Sequence, residues 1–297
     1  MNVMSSTTPP VAARKRPELF EVTVREVRFE TPDTATLSLD PHGKRDYRAG
    51  QYVAIDPHQF LELRPWITWL EAQKGRREPI RQYSLTSAPH EPWIEITVKE
   101  EAYDPAVNRY PPLLSNLLVR GLAPGQRFQV SGYSGPYVLP DQVDDFTNLV
   151  VHVVAGSGAV PNFSLLKDAL HRGVRARQVF LCSNRTREDI LFGKELEALR
   201  AAAPDRVTLV HTLTRDPTGG PEFRHGRIDE ALLASLIPEA DRETCLVYAC
   251  GPAIHPWDRR AALEAGTSPT PRFMETVLGH LHALGIQDRR IRRETYG

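Results

Sequence analysis

Near its midpoint the sequence contains Val150-Val151-His152-Val153-Val154-Ala155-Gly156-Ser157-Gly158-Ala159-Val160-Pro161. A continuous apolar run ends here in Gly-Ser-Gly, and a proline then opens a helical pattern over residues 162–171. This order is typical of a buried parallel strand, a tight glycine turn and a helix N-terminus. Glycine lets the backbone approach a ligand closely, and the free N–H groups and dipole of such a helix end favour a pyrophosphate. Gly-x-Gly-x-x-Pro is equally compatible with a nucleotide-binding turn and with an ordinary strand–helix turn. The rest of the sequence is needed to distinguish these alternatives.

Strand-like and helical patterns alternate after residue 144. The apolar strand runs are Leu149–Ala155, Gln178–Cys182, Val207–Leu213 and Cys245–Cys250. The helical patterns place apolar side chains on one face at Phe192, Leu196 and Leu199, at Leu232, Leu233 and Leu236, and at Phe273, Val277, Leu281 and Leu284. Thr186-x-x-Asp189 is a capping signal for the first of these helices, and Gly285 is a stop signal for the last. The alternation predicts a mostly parallel, doubly wound sheet.

Short alternating runs fill the chain from Leu19 to about Leu139, and turns that contain Gly and Pro separate them. Strands at this spacing predict an antiparallel barrel. Two segments interrupt the pattern, a predicted helix over 112–120 and an insertion over 58–80 that is predicted as a loop or short helix. We therefore predict a disordered lead over residues 1–17, a barrel domain over 18–143 and an α/β domain over 144–297.

Composition argues against several classes of protein. The 297 residues include 37 Lys plus Arg and 37 Asp plus Glu, so no overall field attracts nucleic acid or a membrane surface. The cysteines at 182, 245 and 250 lack Cys-x-x-Cys spacing, which argues against a disulfide framework and a metal site. No apolar run approaches the ~20 residues of a membrane span, and the N-terminus lacks the apolar core of a secretory signal. These features predict a cytoplasmic protein.

A cluster of arginine, aromatic and hydroxyl side chains occupies Arg81-Gln82-Tyr83-Ser84-Leu85-Thr86-Ser87, on a predicted barrel strand. Such a set suits a planar anionic cofactor, because the ring stacks, the hydroxyls meet polar ring atoms and the arginine meets a phosphate. The alternative is an edge strand with ordinary surface polar groups. Taken alone, the segment favours that alternative.

Five motifs occur in order along the chain: Arg81-x-Tyr83-Ser84-x-x-Ser87, Gly132-x-x-Gly135-x-Tyr137, Gly156-x-Gly158-x-x-Pro161, Cys250-Gly251-Pro252 and Glu294-x-Tyr296. This series resembles the ferredoxin–NADP reductase family of flavin-dependent pyridine-nucleotide oxidoreductases, over residues 20–297. The resemblance implies an N-terminal antiparallel Greek-key β-barrel that binds FAD. It also implies a doubly wound parallel α/β domain that binds NADPH or NADH, with a hydride passing from the nicotinamide to the flavin.

The resemblance implies the flavin contacts. Arg81 is expected at the phosphates and Tyr83 against the isoalloxazine, with Ser84 and Ser87 of the same motif in the flavin-binding set. The family's second flavin motif, Gly-x-x-Ser, falls on Pro112-Leu113-Leu114-Ser115, where Ser115 matches and the glycine does not. This departure affects the pyrophosphate contact, so FMN remains an alternative to FAD.

The resemblance also implies a nucleotide site and a reaction centre. The pyrophosphate contact falls on Gly156, Ser157, Gly158 and Pro161. The Cys-Gly-Pro motif comprises Cys250, Gly251 and Pro252. It places Cys250 beside the reactive nicotinamide carbon, whereas a cysteine at a strand end is usually a small buried apolar residue. Glu294 is implied to lie near the flavin and to help handle a proton, and Tyr296 to close the site; a charged chain end is otherwise ordinarily frayed.

The identity of the nucleotide depends on the loops after the second and third strands of the α/β domain. A 2′-phosphate requires arginine and hydroxyl donors, whereas a bare ribose is better served by a carboxylate. Arg185 follows the second strand, and Thr214-Arg215 resembles the Ser-Arg pair that NADPH-using members place at the 2′-phosphate. Asp189 and Asp216 lie close by in the sequence and favour NADH. On balance the sequence favours NADPH.

The leading hypothesis for function is a reductase that passes single electrons to a separate redox partner, such as a ferredoxin or an oxygenase component. A plant-type iron–sulfur domain requires Cys-x4-Cys-x2-Cys, which the sequence lacks. The alternatives are a stand-alone reductase of free flavin, ferric chelates, quinones or oxygen, and a non-catalytic electron-transfer subunit. The insertions over 58–80 and 253–272 contain tryptophan and arginine, which are enriched at interfaces, so they are either docking surfaces or elaborated loops.

Overall fold

A computed structural model describes residues 18–106, 110–216 and 223–296, so the predicted lead over 1–17 lies outside the described residues. The first sheet has six antiparallel strands in the order β4-β3-β6-β1-β2-β5. The strands are β1 (Glu18–Thr31), β2 (Thr34–Asp40), β3 (Tyr52–Ile55), β4 (Arg81–Ser84), β5 (Ile94–Lys99) and β6 (Arg127–Ser134). A bridge between Leu85 and Ile96 joins the two ends of this order and closes the barrel. The predicted barrel is confirmed.

Alternation along the strands fills the barrel. Val22 and Val24 of β1 and Ile94 and Ile96 of β5 are fully or almost fully buried, because every second side chain of a strand points to the same face. The predicted helix over 112–120 is short in the structure: α2 (Leu114–Asn116) continues as a π-helix, Leu117–Gly121.

The insertion over 58–80 forms a helix, α1 (Arg64–Lys74), that packs on the barrel. A proline stands in its first turn, and Gly75 ends it in the left-handed conformation at φ 64°, as glycine does at many helix C-termini. Ile67 and Leu70 are buried against the barrel core, whereas Trp66 and Trp69 remain 56% and 44% exposed.

The second sheet is parallel throughout, in the order β10-β9-β8-β7-β11-β12. Its strands are β7 (Leu149–Ala155), β8 (Arg177–Asn184), β9 (Val207–Leu213), β10 (Phe223–His225), β11 (Leu246–Pro252) and β12 (Ile291–Tyr296). The helices are α3 (Ala159–His171), α4 (Gly193–Ala202), α5 (Glu230–Leu236), α6 (Pro256–Glu264) and α7 (Phe273–Ala283). Residues of α3 and α4 pack on one face of the sheet and residues of α5 and α7 on the other. The predicted doubly wound sheet is confirmed.

One local prediction is wrong. The side chains of Thr186 and Asp189 do form a capping box, but it closes a 3-10 turn, Arg187–Asp189, and α4 begins only at Gly193. Phe192 precedes that helix with a φ of 57°, so the chain turns between the cap and the helix. The domain boundary at residue 143 stays a prediction; the structure places the last barrel strand before it and the first parallel strand after it. Among the described residues, no helix combines the length and apolar character that crossing a bilayer requires.

Candidate active site

Two adjoining cavities lie where the barrel meets the carboxyl ends of the parallel strands. The larger, of about 1110 Å³, lies between β4 and the C-terminal strand β12. The smaller, of about 460 Å³, lies at the glycine turn after β7. Lys99, Ser157 and Arg185 line both. Ligands of doubly wound sheets bind at the carboxyl ends of strands, so this cleft is the candidate active site.

The barrel wall of the larger cavity contains the predicted flavin contacts. Arg81, Tyr83 and Ser84 of β4 line it, together with Ser115 of α2. Tyr83 is partly buried, and burial raises the pKa of its hydroxyl above the ordinary value. Ser115 is buried, and its hydroxyl accepts from the Glu101 backbone N–H at 3.3 Å. The motif thus places its arginine, ring and hydroxyls on one cavity wall.

The opposite wall consists of the last strand, β12, which pairs in parallel with β11. The register sets Cys250 opposite Glu294 and Pro252 opposite Tyr296. Ser84 donates to Glu294 Oε1 at 2.5 Å, and the Tyr296 hydroxyl donates to Ser84 Oγ at 3.3 Å. Tyr296 also hydrogen-bonds the thiol of Cys250. Side chains of the barrel and of the C-terminus therefore meet in one hydrogen-bonded cluster, which we call the Ser84–Glu294 cluster (Ser84, Cys250, Glu294, Tyr296).

Burial dominates the electrostatics of this cluster. Burial raises the pKa of the Glu294 carboxyl above its ordinary value, against the hydrogen bond that Ser84 donates to it. Burial, and secondarily the neighbouring Glu294, raises the pKa of the Cys250 thiol well above its ordinary value. Because the thiol stays protonated, Cys250 is a neutral side chain here and not a nucleophile.

A buried polar network supports the cleft from behind. The Asn162 amide donates to the Tyr137 hydroxyl at 3.0 Å and to the Gly158 carbonyl at 3.2 Å, and its oxygen lies 2.9 Å from His152 Nδ1. Tyr137 lines the larger cavity, and Asn162 and His152 are fully buried. This network ties the end of the barrel to the glycine turn. The motif Gly132-x-x-Gly135-x-Tyr137 included Tyr137, but no sequence signal singled out Asn162, and His152 stood out only as a histidine inside an apolar strand run.

The smaller cavity contains the predicted nucleotide contacts Gly156, Ser157, Arg185, Thr214 and Pro252. Its lining also includes Asn184, whose buried Oδ1 atom has no hydrogen-bond partner among the described residues. An unsatisfied buried acceptor is costly, and a bound ligand that donates to it removes that cost. Arg227 and Arg272 line the cavity as well. Neither arginine could be found from the sequence, because both lie on loops without a motif.

Six predicted residues do not line either cavity: Ser87, Gly158, Pro161, Arg215, Cys250 and Gly251. Cys250 is fully buried at the end of β11. Ser87 is fully buried, and its hydroxyl bonds the Tyr47 hydroxyl at 2.8 Å and accepts from the Glu95 backbone N–H at 2.9 Å. The Ser87 hydroxyl thus already has two partners within the barrel, and its contact with the flavin stays a prediction.

Two of these residues shape the cleft from within its wall. A Cβ atom added at Gly158 would lie 2.1 Å from the carbonyl oxygen of Cys250, and one at Gly251 would lie 2.5 Å from the Phe273 ring. The glycines thus allow the turn, β11 and α7 to pack closely, which is a structural role. Pro161 is buried in the first turn of α3. The Arg215 side chain is exposed outside both cavities.

Comparison with known proteins agrees with this geometry. Residues 153–254 match the model of the oxidoreductase NAD-binding domain. The ferredoxin reductase component of 3-ketosteroid-9-alpha-monooxygenase from Mycobacterium tuberculosis (strain CDC 1551 / Oshkosh) is 32% identical over 270 residues, which cover 89% of this chain and 67% of that protein. The chain belongs to the ferredoxin–NADP reductase family. The family assignment made from the five motifs is confirmed.

Other relatives extend the comparison. An NADPH oxidoreductase of Mycobacterium tuberculosis (strain ATCC 25618 / H37Rv) is 32% identical over 76% of this chain and 51% of its own length. The chain spans 51% and 63% of the length of the first two curated relatives, about half to two thirds. Among solved structures, the FAD/NAD-binding domain of nitric oxide dioxygenase from Vibrio cholerae superposes with a TM-score of 0.69 at 23% identity, covering 94% of this chain and 98% of that chain. The superposition confirms the fold.

Proposed function

We propose that this protein is an NAD(P)H-dependent FAD reductase that takes a hydride from the reduced nicotinamide nucleotide and passes single electrons to a separate redox partner. The observation that supports this most is the Ser84–Glu294 cluster, in which a barrel strand and the C-terminal strand meet where two cavities adjoin. Such a junction suits two cofactors that must meet at their reactive ends, one on each domain.

The lining of the larger cavity fits a flavin. The Arg81 guanidinium suits a flavin phosphate, and the partly buried Tyr83 ring suits stacking on the isoalloxazine. The hydroxyls of Ser84 and Ser115 suit the polar edge of the flavin ring. When bound, the flavin supplies acceptance of a hydride and release of electrons one at a time. The cavity volume of about 1110 Å³ exceeds the ordinary range for ligand pockets, which favours FAD over FMN.

The protein residues then have three tasks. The glycine turn and Arg185 bind the nucleotide phosphates. The neutral Cys250 is fully buried opposite Glu294 at the end of β11, and it supports the nicotinamide site from within the wall. Tyr296 excludes water from the junction. Glu294 holds a proton at its carboxyl. Ser84, whose Oγ lies 2.5 Å from Glu294 Oε1, provides a hydrogen-bonded path between that carboxyl and the larger cavity.

An anaerobic stopped-flow absorbance titration of the flavin-loaded protein with NADPH and with NADH tests this function. We expect rapid bleaching of the flavin band. If flavin is bound and neither nucleotide bleaches it, the reductase proposal fails, and a non-catalytic electron-transfer subunit becomes the better hypothesis.

We propose NADPH as the preferred nucleotide. Arg185 and Arg227 line the smaller cavity with the Thr214 hydroxyl, and neither arginine has a carboxylate partner within the described ranges. The Asp189 carboxylate, which would favour a bare ribose, already accepts from the backbone N–H and hydroxyl of Thr186, both at 3.0 Å. Arg185 and Arg227 can therefore pair with a 2′-phosphate, whereas the Asp189 carboxylate is already engaged and less able to bind a ribose hydroxyl.

Replacing Arg185 or Arg227 by alanine is therefore expected to raise the KM for NADPH by about tenfold or more, since each removes a hydrogen bond to a charged group. The KM for NADH should change little. Arg215→Ala is the matched control, because its side chain lies outside both cavities. Steady-state kinetics with both nucleotides provide the measurement; equal changes for NADPH and NADH would contradict the 2′-phosphate assignment.

For the electron acceptor we propose a ferredoxin or an oxygenase component, with a cytoplasmic location as predicted from the sequence. The relative from Mycobacterium tuberculosis is the ferredoxin reductase component of a monooxygenase. The relatives also include an NADPH oxidoreductase and flavohemoproteins, so reduction of a small acceptor is the alternative.

The exposed tryptophans of the two insertions are candidate docking residues. Trp66, Trp69 and Trp257 are 56%, 44% and 60% exposed. Replacing Trp257 by alanine, or Arg76 and Arg77 together, is expected to lower reduction of the protein carrier several-fold and to leave reduction of a small dye unchanged. A parallel fall in both assays would contradict docking at these positions.

A further inference from the structure

A buried carboxylate lies directly behind the arginine of the flavin motif. The Glu78 side chain is 1% exposed, and it forms ion pairs with Arg81 at 3.2 Å and with Lys74 at 2.6 Å. Glu78 belongs to the insertion over 58–80, whereas Arg81 lines the larger cavity. Because an unpaired buried charge is strongly unfavourable, a carboxylate at this depth fixes the position of the cations that pair with it.

The contacts of Arg81 leave part of its guanidinium available to the cavity. Nη2 donates to Glu78 Oε2 at 3.2 Å, and Nη1 donates to the Pro79 carbonyl at 3.1 Å. Both acceptors belong to the chain just before β4. A guanidinium is a rigid planar fork, so holding it at two nitrogens sets the direction of its remaining N–H donors.

Glu78 is itself held by the inserted helix. Its backbone N–H donates to Glu71 Oε1 of α1 at 2.8 Å, and the same oxygen lies 2.8 Å from His58 Nε2. His58 Nδ1 lies 2.6 Å from Asp56 Oδ1, immediately after β3. A continuous set of polar contacts therefore runs from the barrel through the insertion to the guanidinium.

We propose that Glu78 is a positioning residue for flavin binding: it holds the Arg81 guanidinium in the orientation that meets a flavin phosphate. The insertion over 58–80 then contributes directly to the flavin site, because it contains the residue that orients Arg81. This inference rests on the proposed function, since it concerns the phosphate of the same flavin.

Fluorescence titration of the full-length apoprotein with FAD, and separately with FMN, tests the role. Glu78→Gln keeps the size of the side chain and removes its charge. We expect the Kd for FAD to rise about tenfold, because a charged hydrogen bond that orients Arg81 is weakened. Lys74→Met removes the other partner of Glu78 and should change the Kd by less than about threefold, since it leaves the Arg81 contact intact.

A double-mutant cycle separates positioning from a general loss of structure. In an Arg81→Ala background, Glu78→Gln should leave the Kd for FAD unchanged, because no guanidinium remains to be oriented. An unchanged Kd in the single variant, or the same loss in both backgrounds, overturns the inference. If Glu78→Gln does not fold, Glu78→Asp moves the carboxylate away from Arg81 by one methylene group. The Kd for FAD of this variant is then compared in the native and Arg81→Ala backgrounds in the same way. Absence of flavin binding by the native protein would instead overturn the proposed function.

Discussion

Gly158→Ala is expected to destabilise the protein by about 3 kcal/mol and to slow hydride transfer about a hundredfold. An added Cβ would lie 2.1 Å from the carbonyl oxygen of Cys250, 2.6 Å from its carbonyl carbon and 3.1 Å from the Gly251 nitrogen. All three are backbone atoms of β11, so no side chain can move aside. Either the glycine turn or β11 has to shift, and either shift changes the position of the nucleotide turn relative to Cys250 and the strand that pairs with it. Thermal unfolding and single-turnover reduction by NADPH measure the two effects.

Gly156→Ala is the matched control in the same turn. Gly156 has a φ of 52°, so alanine costs about 1 kcal/mol of backbone strain there. No atom lies within 4 Å of the added Cβ, and β11 stays in place. We expect a modest loss of stability and, at saturating NADPH, a nearly native rate of hydride transfer, because Gly156 lines the nucleotide cavity and its replacement acts on nucleotide binding. If both variants reduced stability and rate equally, the close contact between Gly158 and Cys250 would not be what positions the site.

The central strand–turn–helix could be predicted from local pattern alone. β7 spans Leu149–Ala155, as predicted, because a fully buried parallel strand is a continuous apolar run and the glycines end it. The turn lies against β11 and the smaller cavity. Such a segment can be predicted from the sequence because a strand that is buried on both faces requires a continuous run of apolar residues.

The last strand could not be predicted in this way. β12 has the sequence Ile-Arg-Arg-Glu-Thr-Tyr, with one buried residue, Ile291, and no alternating apolar pattern. It is a strand because its backbone pairs with β11, and that pairing joins residues about forty positions apart. The motif located Glu294 and Tyr296, but only the pairing explains why they lie beside Cys250.

The direction in which a motif side chain points is equally non-local. Ser84 and Ser87 belong to one motif, yet the Ser84 hydroxyl lines the cavity and the Ser87 hydroxyl bonds Tyr47 inside the barrel. Arg81 lines the cavity too, but its buried partner Glu78 comes from an insertion outside the motif. Spacing within a motif thus identifies a strand. The surrounding barrel determines which side chains of that strand remain free to contact a ligand.

Glu294 is the group in the cleft whose protonation is expected to control turnover. Burial raises the pKa of its carboxyl, so the folded protein keeps this proton to a higher pH than an exposed glutamic acid does. A step that needs the protonated carboxyl is therefore fastest below the raised pKa and slows as the pH rises through it. The bound proton also stabilises the native state at low pH, and this contribution is lost as the pH rises through the same pKa.

Glu294→Gln is accordingly expected to lower acceptor-dependent turnover about a hundredfold, which is the lower end of the range for general acid–base catalysis. Hydride transfer itself needs no acid or base, so single-turnover reduction by NADPH should fall much less. The descending limb of the pH profile that belongs to Glu294 should disappear, since glutamine does not titrate. Glu95→Gln is the matched control, because burial raises the pKa of Glu95 too but its side chain lines neither cavity. A variant that kept both the native turnover and the native pH profile would show that the proton is handled elsewhere.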